Sequence, residues 1–103
     1  MTSAFSIIFK GNHTKIFDFF LDNPRYDFTT TEVSRNAEVN RITANKITEY
    51  FLKIGIIKQS RKLGNGQLYI LNIENPAVKA VMKTELEMIK TDIKLNIPVK
   101  VGK

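Results

Sequence analysis

Apolar residues recur along this chain at distinct spacings, and each spacing predicts an element. Phe5, Ile7 and Phe9 occupy alternate positions, as in a short strand or arm, until Gly11-Asn12 interrupts them, with Asn12 placed to cap a helix. From His13 to Leu21, the residues Ile16, Phe17, Phe20 and Leu21 fall at helical steps, and Asp22-Asn23-Pro24 ends the run. Thr29 and Glu32 have capping-box spacing, which predicts a second short helix from Thr30 to about Ala37 that buries Val33 and Ala37. A tight turn, Glu38-Val39-Asn40, follows. Asn40 can then cap a third helix over 41–54, with Ala44, Ile47, Phe51 and Ile54 as its inward stripe and Gly55 as a left-handed C-terminal cap.

Two β-prone runs, 56–62 and 67–73, flank Leu63-Gly64-Asn65-Gly66, whose glycines permit positive φ, so a hairpin is expected there. Asn75-Pro76 supplies a cap and a first-turn proline for a fourth helix to about Leu95, with Val78, Val81, Met82, Leu86, Ile89 and Ile93 on one face. Residues 96–103 read as a loose tail or an added strand. No repeat or linker divides the 103 residues, so one domain is expected, with its core over 12–75.

Composition narrows the chemistry. The chain has no Cys and one His, which excludes disulfides, thiolate metal sites and a Cys nucleophile and disfavours a His-based metal cluster. His13 reads as a surface or capping residue. Asp18 and Asp22, four apart, read as a solvated face, for want of a nucleophile or metal set beside them. Gly64 and Gly66 are turn residues, because Leu-Gly-Asn-Gly lacks the Lys-Ser/Thr of a phosphate-cradling loop. No catalytic constellation emerges, so no enzyme and no cofactor are expected. The amino end lacks the positive leader of a secretory signal, and no stretch approaches about 18 apolar residues. A cytoplasmic protein with no membrane partner is the expectation.

The net charge of +6 is unevenly spread. Residues 1–39 are nearly balanced, whereas residues 40–67 carry Arg41, Lys46, Lys53, Lys58, Arg61 and Lys62 against Glu49 alone. Most of the excess therefore lies over the third helix and the hairpin. A polyanion is the partner that such clustering favours.

The stretch Thr-Thr-Thr-Glu-Val-Ser-Arg-Asn-Ala-Glu-Val-Asn-Arg-Ile-Thr-Ala-Asn-Lys-Ile (29–47), then Phe-Leu-Lys-Ile-Gly-Ile-Ile-Lys (51–58) and Arg-Lys-Leu-Gly-Asn-Gly-Gln-Leu-Tyr (61–69), resembles the winged helix-turn-helix family. The likeness is to small ArsR- and MarR-like regulators of archaeal type, and it covers about residues 12–75. It implies an α+β fold of three core helices and a β-hairpin wing, here with an added C-terminal helix. Where the family usually has a glycine between the second and third helices, this sequence has Glu38.

The resemblance implies sequence-selective binding of double-stranded DNA, with the third helix in the major groove and the wing (58–69) along the backbone or in the minor groove. A helix inserted there reads base edges with its outer side chains. Arg41 suits guanine, Asn45 adenine, Ile42 a thymine methyl and Lys46 a phosphate. Arg61, Lys62 and Asn65 would serve on the wing, and Asn40 and Thr30 can offer donors to phosphates at helix starts. Plainer readings stand beside these: solvated helix charge for Arg41 and Lys46, neutral surface for Asn45, packing against the second helix for Ile42, capping for Asn40 and Thr30, and charge guarding an edge strand for Arg61 and Lys62.

The stripe Val78, Met82, Leu86, Ile89 and Ile93 is longer than so small a core needs. In look-alike regulators the terminal helix pairs with its twofold mate, which implies a homodimer acting as a transcriptional regulator. A plasmid or viral partition or architectural protein and a protein-interaction module are the alternative readings.

Overall fold

The computed structural model describes residues 11–94, with side chains through Thr91; the Phe5–Phe9 arm and the 96–103 tail lie outside the described residues. Seven elements follow one another: α1 (Asn12–Asp22), β1 (Phe28–Thr29), α2 (Thr30–Ala37), α3 (Arg41–Lys53), β2 (Ile57–Leu63), β3 (Gly66–Leu71) and α4 (Pro76–Lys94). The strands form one antiparallel sheet in the order β1-β3-β2, with Phe28 opposite Tyr69 and Ile57 opposite Leu71.

The core sits where α1, α2, α3 and the sheet converge. Ile16, Phe17 and Phe20 from α1, Val33 from α2 and Phe51 from α3 are each no more than 1% exposed. Apolar area removed from water is the main stabilising term, at roughly 25 cal/mol per Å². Phe17 and Phe51 meet edge to face at 6.1 Å, and Phe19 lies 4.4 Å from Phe28, so aromatic contacts tie α1 to both α3 and β1.

Several expectations are corrected. Gly11, with φ of 58°, is the N-cap of α1, no side chain caps it, and Asn12 is already helical. The His13 ring packs against the rings of Tyr50 and Phe51, at 6.0 and 6.1 Å. Ile54 is the C-cap of α3 and 41% exposed, because the helix ends before completing the turn that would carry it inward. Thr48 takes a place in the buried face instead, with its Oγ1 lacking a hydrogen-bond partner. The hairpin strands run to Leu63 and resume at Gly66, leaving only Gly64-Asn65 as the loop. Positive φ at Gly64 alone is the type II′ pattern, which matches the right-handed twist of paired strands.

The apolar stripe of α4 divides. Val78 is fully buried and belongs to the protein's own core, so it is withdrawn from the partner-facing set, and Val81 and Met82 pack partly against that core. Leu86 and Ile89 remain about half exposed, and the Ile93 side chain lies outside the described residues. No described helix is long and apolar enough to cross a membrane.

Candidate nucleic-acid interface

The helix-turn-helix is held by local hydrogen bonds that the sequence dictates. Thr29 Oγ1 accepts from the Glu32 amide at 3.1 Å, and the Glu32 carboxylate accepts from the Thr29 amide at 2.8 Å, closing the capping box that starts α2. At its far end Glu38 adopts φ 58° and ψ 48°, the left-handed conformation that glycine holds without strain. Ser34 grips this turn from inside: its Oγ donates to the Val39 carbonyl at 2.6 Å, and its carbonyl accepts from the Val39 amide at 3.0 Å. The chain thus keeps the turn without the glycine. Val39 is buried behind it, and Asn40 Oδ1 accepts from the Ile42 and Thr43 amides to start α3.

Helix α3 is consequently fixed in rotation. Ala44, Ile47, Thr48 and Phe51 face the core, while Arg41, Ile42, Asn45, Lys46 and Glu49 are all exposed, with Ile42 at 68%. The four candidate readers therefore share one solvent-facing side, at the i, i+1, i+4 and i+5 steps that keep side chains together on a helix. Ile42 is thus an apolar side chain left largely in water among polar neighbours.

Thr30 is the first residue of α2 and half-buried, and Asn40 is exposed but engaged in capping. On the wing Arg61, Lys62 and Asn65 are exposed, as is Leu63 beside the turn, at 57%. The strand pairing slips by one residue between Gln59 and Lys62, a β-bulge that sets Ser60 and Arg61 together against Leu68. Both side chains of the bulge reach Asp27, which immediately precedes β1. Arg61 Nε donates to Oδ2 at 2.8 Å and Nη2 to Oδ1 at 3.2 Å, while Ser60 Oγ donates to Oδ2 at 2.6 Å. The hydrogen bonds from Arg61 and Ser60 hold the Asp27 carboxyl down at about 2, and the same contact pushes Arg61 up. Sequence patterning gave no warning of this site, because a bulge has no fixed residue signature and Asp27 lies 33 and 34 positions from its donors.

A second electrostatic feature lies between α1 and α4. Burial and the Asp22 charge raise the Asp18 carboxyl, and burial with the charges of Asp22 and Asp18 raises that of Glu85. Like charges crowd where α4 leaves the core.

No family model and no curated protein matches this sequence. Solved structures do share its fold. A protein described as a possible transcriptional regulator from Methanosarcina mazei Go1 superposes with a TM-score of 0.60 at 11% identity, over 86% of this chain and 80% of that one. Reduced HlyU from Vibrio cholerae N16961 gives 0.59 at 18% identity, over 77% of each chain. Sso10a-2, a DNA-binding protein from Sulfolobus solfataricus, gives 0.55 at 16% identity, over 91% of this chain and 99% of that one. Among the described residues the architecture is a winged-helix fold, α+β with four helices and a three-stranded antiparallel sheet.

Proposed function

We propose that this protein binds double-stranded DNA sequence-selectively and acts as a transcriptional regulator. The observation that carries this reading is the outer face of α3, where Arg41, Ile42, Asn45 and Lys46 stand exposed together on a helix whose rotation the core and both caps fix. Fork, amide, alkyl and cation are the side-chain types that read guanine, adenine, the thymine methyl and phosphate. The cationic excess over 40–67 and the fold shared with transcriptional regulators and a DNA-binding protein support it.

In this reading α3 enters the major groove and the wing lies along the backbone or the minor groove, with Lys62 and Asn65 nearest the duplex. The protein acts as a homodimer through the outer part of the α4 stripe, where its own core leaves Leu86 and Ile89 uncovered and the sequence pattern continues to Ile93. Two α3 helices would then reach half-sites about 34 Å apart. The helix-start donors of Thr30 and Asn40 serve phosphates, Thr30 from the first turn of α2 and Asn40 without giving up its cap on α3.

Selection of bound fragments from random duplex tests the reading, since it reports preference, half-site spacing and symmetry together. On the selected site Arg41→Ala removes discrimination at one base position, about 1–3 kcal/mol, whereas Lys62→Ala weakens selected and random duplex alike. Equal loss on both duplexes for Arg41→Ala contradicts its reading role. Sedimentation at micromolar concentration shows a dimer; a monomer with and without DNA contradicts the dimer.

A further inference from the structure

Among the described residues, Arg61 is the one wing cation whose charge the fold has already matched. Both oxygens of Asp27 accept from its Nε and Nη2, the side-on fork with which a guanidinium also grips a phosphate. The arrangement is built from several parts. The bulge at Ser60-Arg61 brings two consecutive side chains, which a regular strand would send to opposite faces, onto one carboxylate. Gln67 Nε2 donates to the Arg61 carbonyl at 2.9 Å and to that of Leu68 at 2.8 Å, pinning the bulged backbone. The Asp27 side chain is only 16% exposed while that of Arg61 is 59% exposed, so the acid is seated and the base is the half that faces water.

We propose that Asp27 is a specificity-determining residue that occupies the phosphate-gripping edge of Arg61, keeps this cation out of backbone neutralisation and so limits sequence-independent binding to DNA. The inference rests on the DNA-binding reading above. Sequence-independent affinity grows with each phosphate neutralised, because each one releases bound counterion. A guanidinium already paired with a carboxylate of its own chain brings no net charge to a phosphate and releases none. Recognition is a difference between right and wrong duplexes, and it is sharpened as much by withholding a contact common to both as by adding one to the right site. Asp27 remains ionised throughout the neutral range, so the withholding is constant.

The test is the salt dependence of anisotropy-detected binding of the full chain to a labelled random-sequence duplex. Arg61→Gln leaves the slope of log K against log salt at its wild-type value. Asp27→Asn steepens it by about 0.9, the share of one phosphate, and raises random-duplex affinity several-fold at low salt. The double variant returns to the wild-type slope. Overturning results are a slope flattened by about 0.9 in Arg61→Gln, or random-duplex binding that Asp27→Asn weakens or leaves unchanged. Arg61→Gln decides the matter alone if Asp27→Asn proves unfolded by thermal melting. Steep salt dependence in the wild type with either overturning result removes only the role of Asp27. Absence of salt-sensitive binding by the wild type removes the DNA-binding reading and this inference with it.

Discussion

The Asn75 carboxamide donates to the Gly55 carbonyl at 3.0 Å, so one side chain joins the end of α3 to the start of α4. Its Oδ1 meanwhile accepts from the Ala77 and Val78 amides at 2.7 and 3.2 Å, capping α4. Asn72 Nδ2 reaches the same Gly55 carbonyl at 3.0 Å. Gly55, at φ 84°, accommodates this: a Cβ there would lie 3.3 Å from Asn75 Nδ2. Chain reversal after α3 is therefore anchored by two asparagines on one acceptor.

Asn75→Ala should cost about 1–2 kcal/mol, a lost cap together with one of two bonds to Gly55. Asn72→Ala, which spares the cap, should cost less. Chemical denaturation of both variants checks the order, and an equal or reversed cost contradicts the double role.

Glu38→Gly should stabilise the protein. The left-handed conformation costs an ordinary residue about 1–2 kcal/mol, and glycine escapes it while adding some freedom to the unfolded chain. A net gain of about 1 kcal/mol, or roughly 4–8 °C in Tm, is expected by calorimetry. A loss would mean that the Glu38 side chain holds the turn by a contact of its own.

Thr48→Val should also stabilise, because it replaces a buried hydroxyl that lacks a partner by a methyl of nearly the same shape. An unsatisfied buried group costs about 1–3 kcal/mol, and the variant should recover part of that. Unchanged or lowered stability would show that the hydroxyl is satisfied in solution.

The pH dependence of stability has two opposed parts. Asp27 has its folded carboxyl lowered from 3.8 to about 2, so its pair stabilises the fold above the unfolded value, and that contribution is lost as pH falls toward 2. Asp18 and Glu85 are raised in the fold, so stability falls as pH rises through the carboxylate range. Asp27→Asn should therefore blunt the drop in Tm on acidification, and Glu85→Gln should raise Tm at neutral pH but not in acid. Identical melting curves for wild type and both variants across this range contradict the assignment.

Much of this architecture is legible in the sequence because its signals are local. Thr29 with Glu32, Asn40 before Arg41 and Asn75 before Pro76 each start the helix that their spacing predicts, and helical periodicity turns Arg41, Ile42, Asn45 and Lys46 outward. What escapes is set by contacts between distant residues. Asp27 and Arg61 meet only after the wing folds back across the sheet, and only because a bulge shifts the register. Similarly, the periodicity of α4 is continuous from Val78 to Ile93, yet the division between Val78 inside and Leu86 outside depends on where the core ends, which no period encodes. Thr48 is polar by composition and buried by position, so pattern reading passes over it.

Amide chemical-shift mapping during titration with a short duplex tests the central claim most directly. Perturbations should concentrate on Arg41–Glu49 and on the wing from Lys58 to Gln67, and should fade as salt is added. No shift at sub-millimolar DNA, or shifts confined to α4, would contradict it.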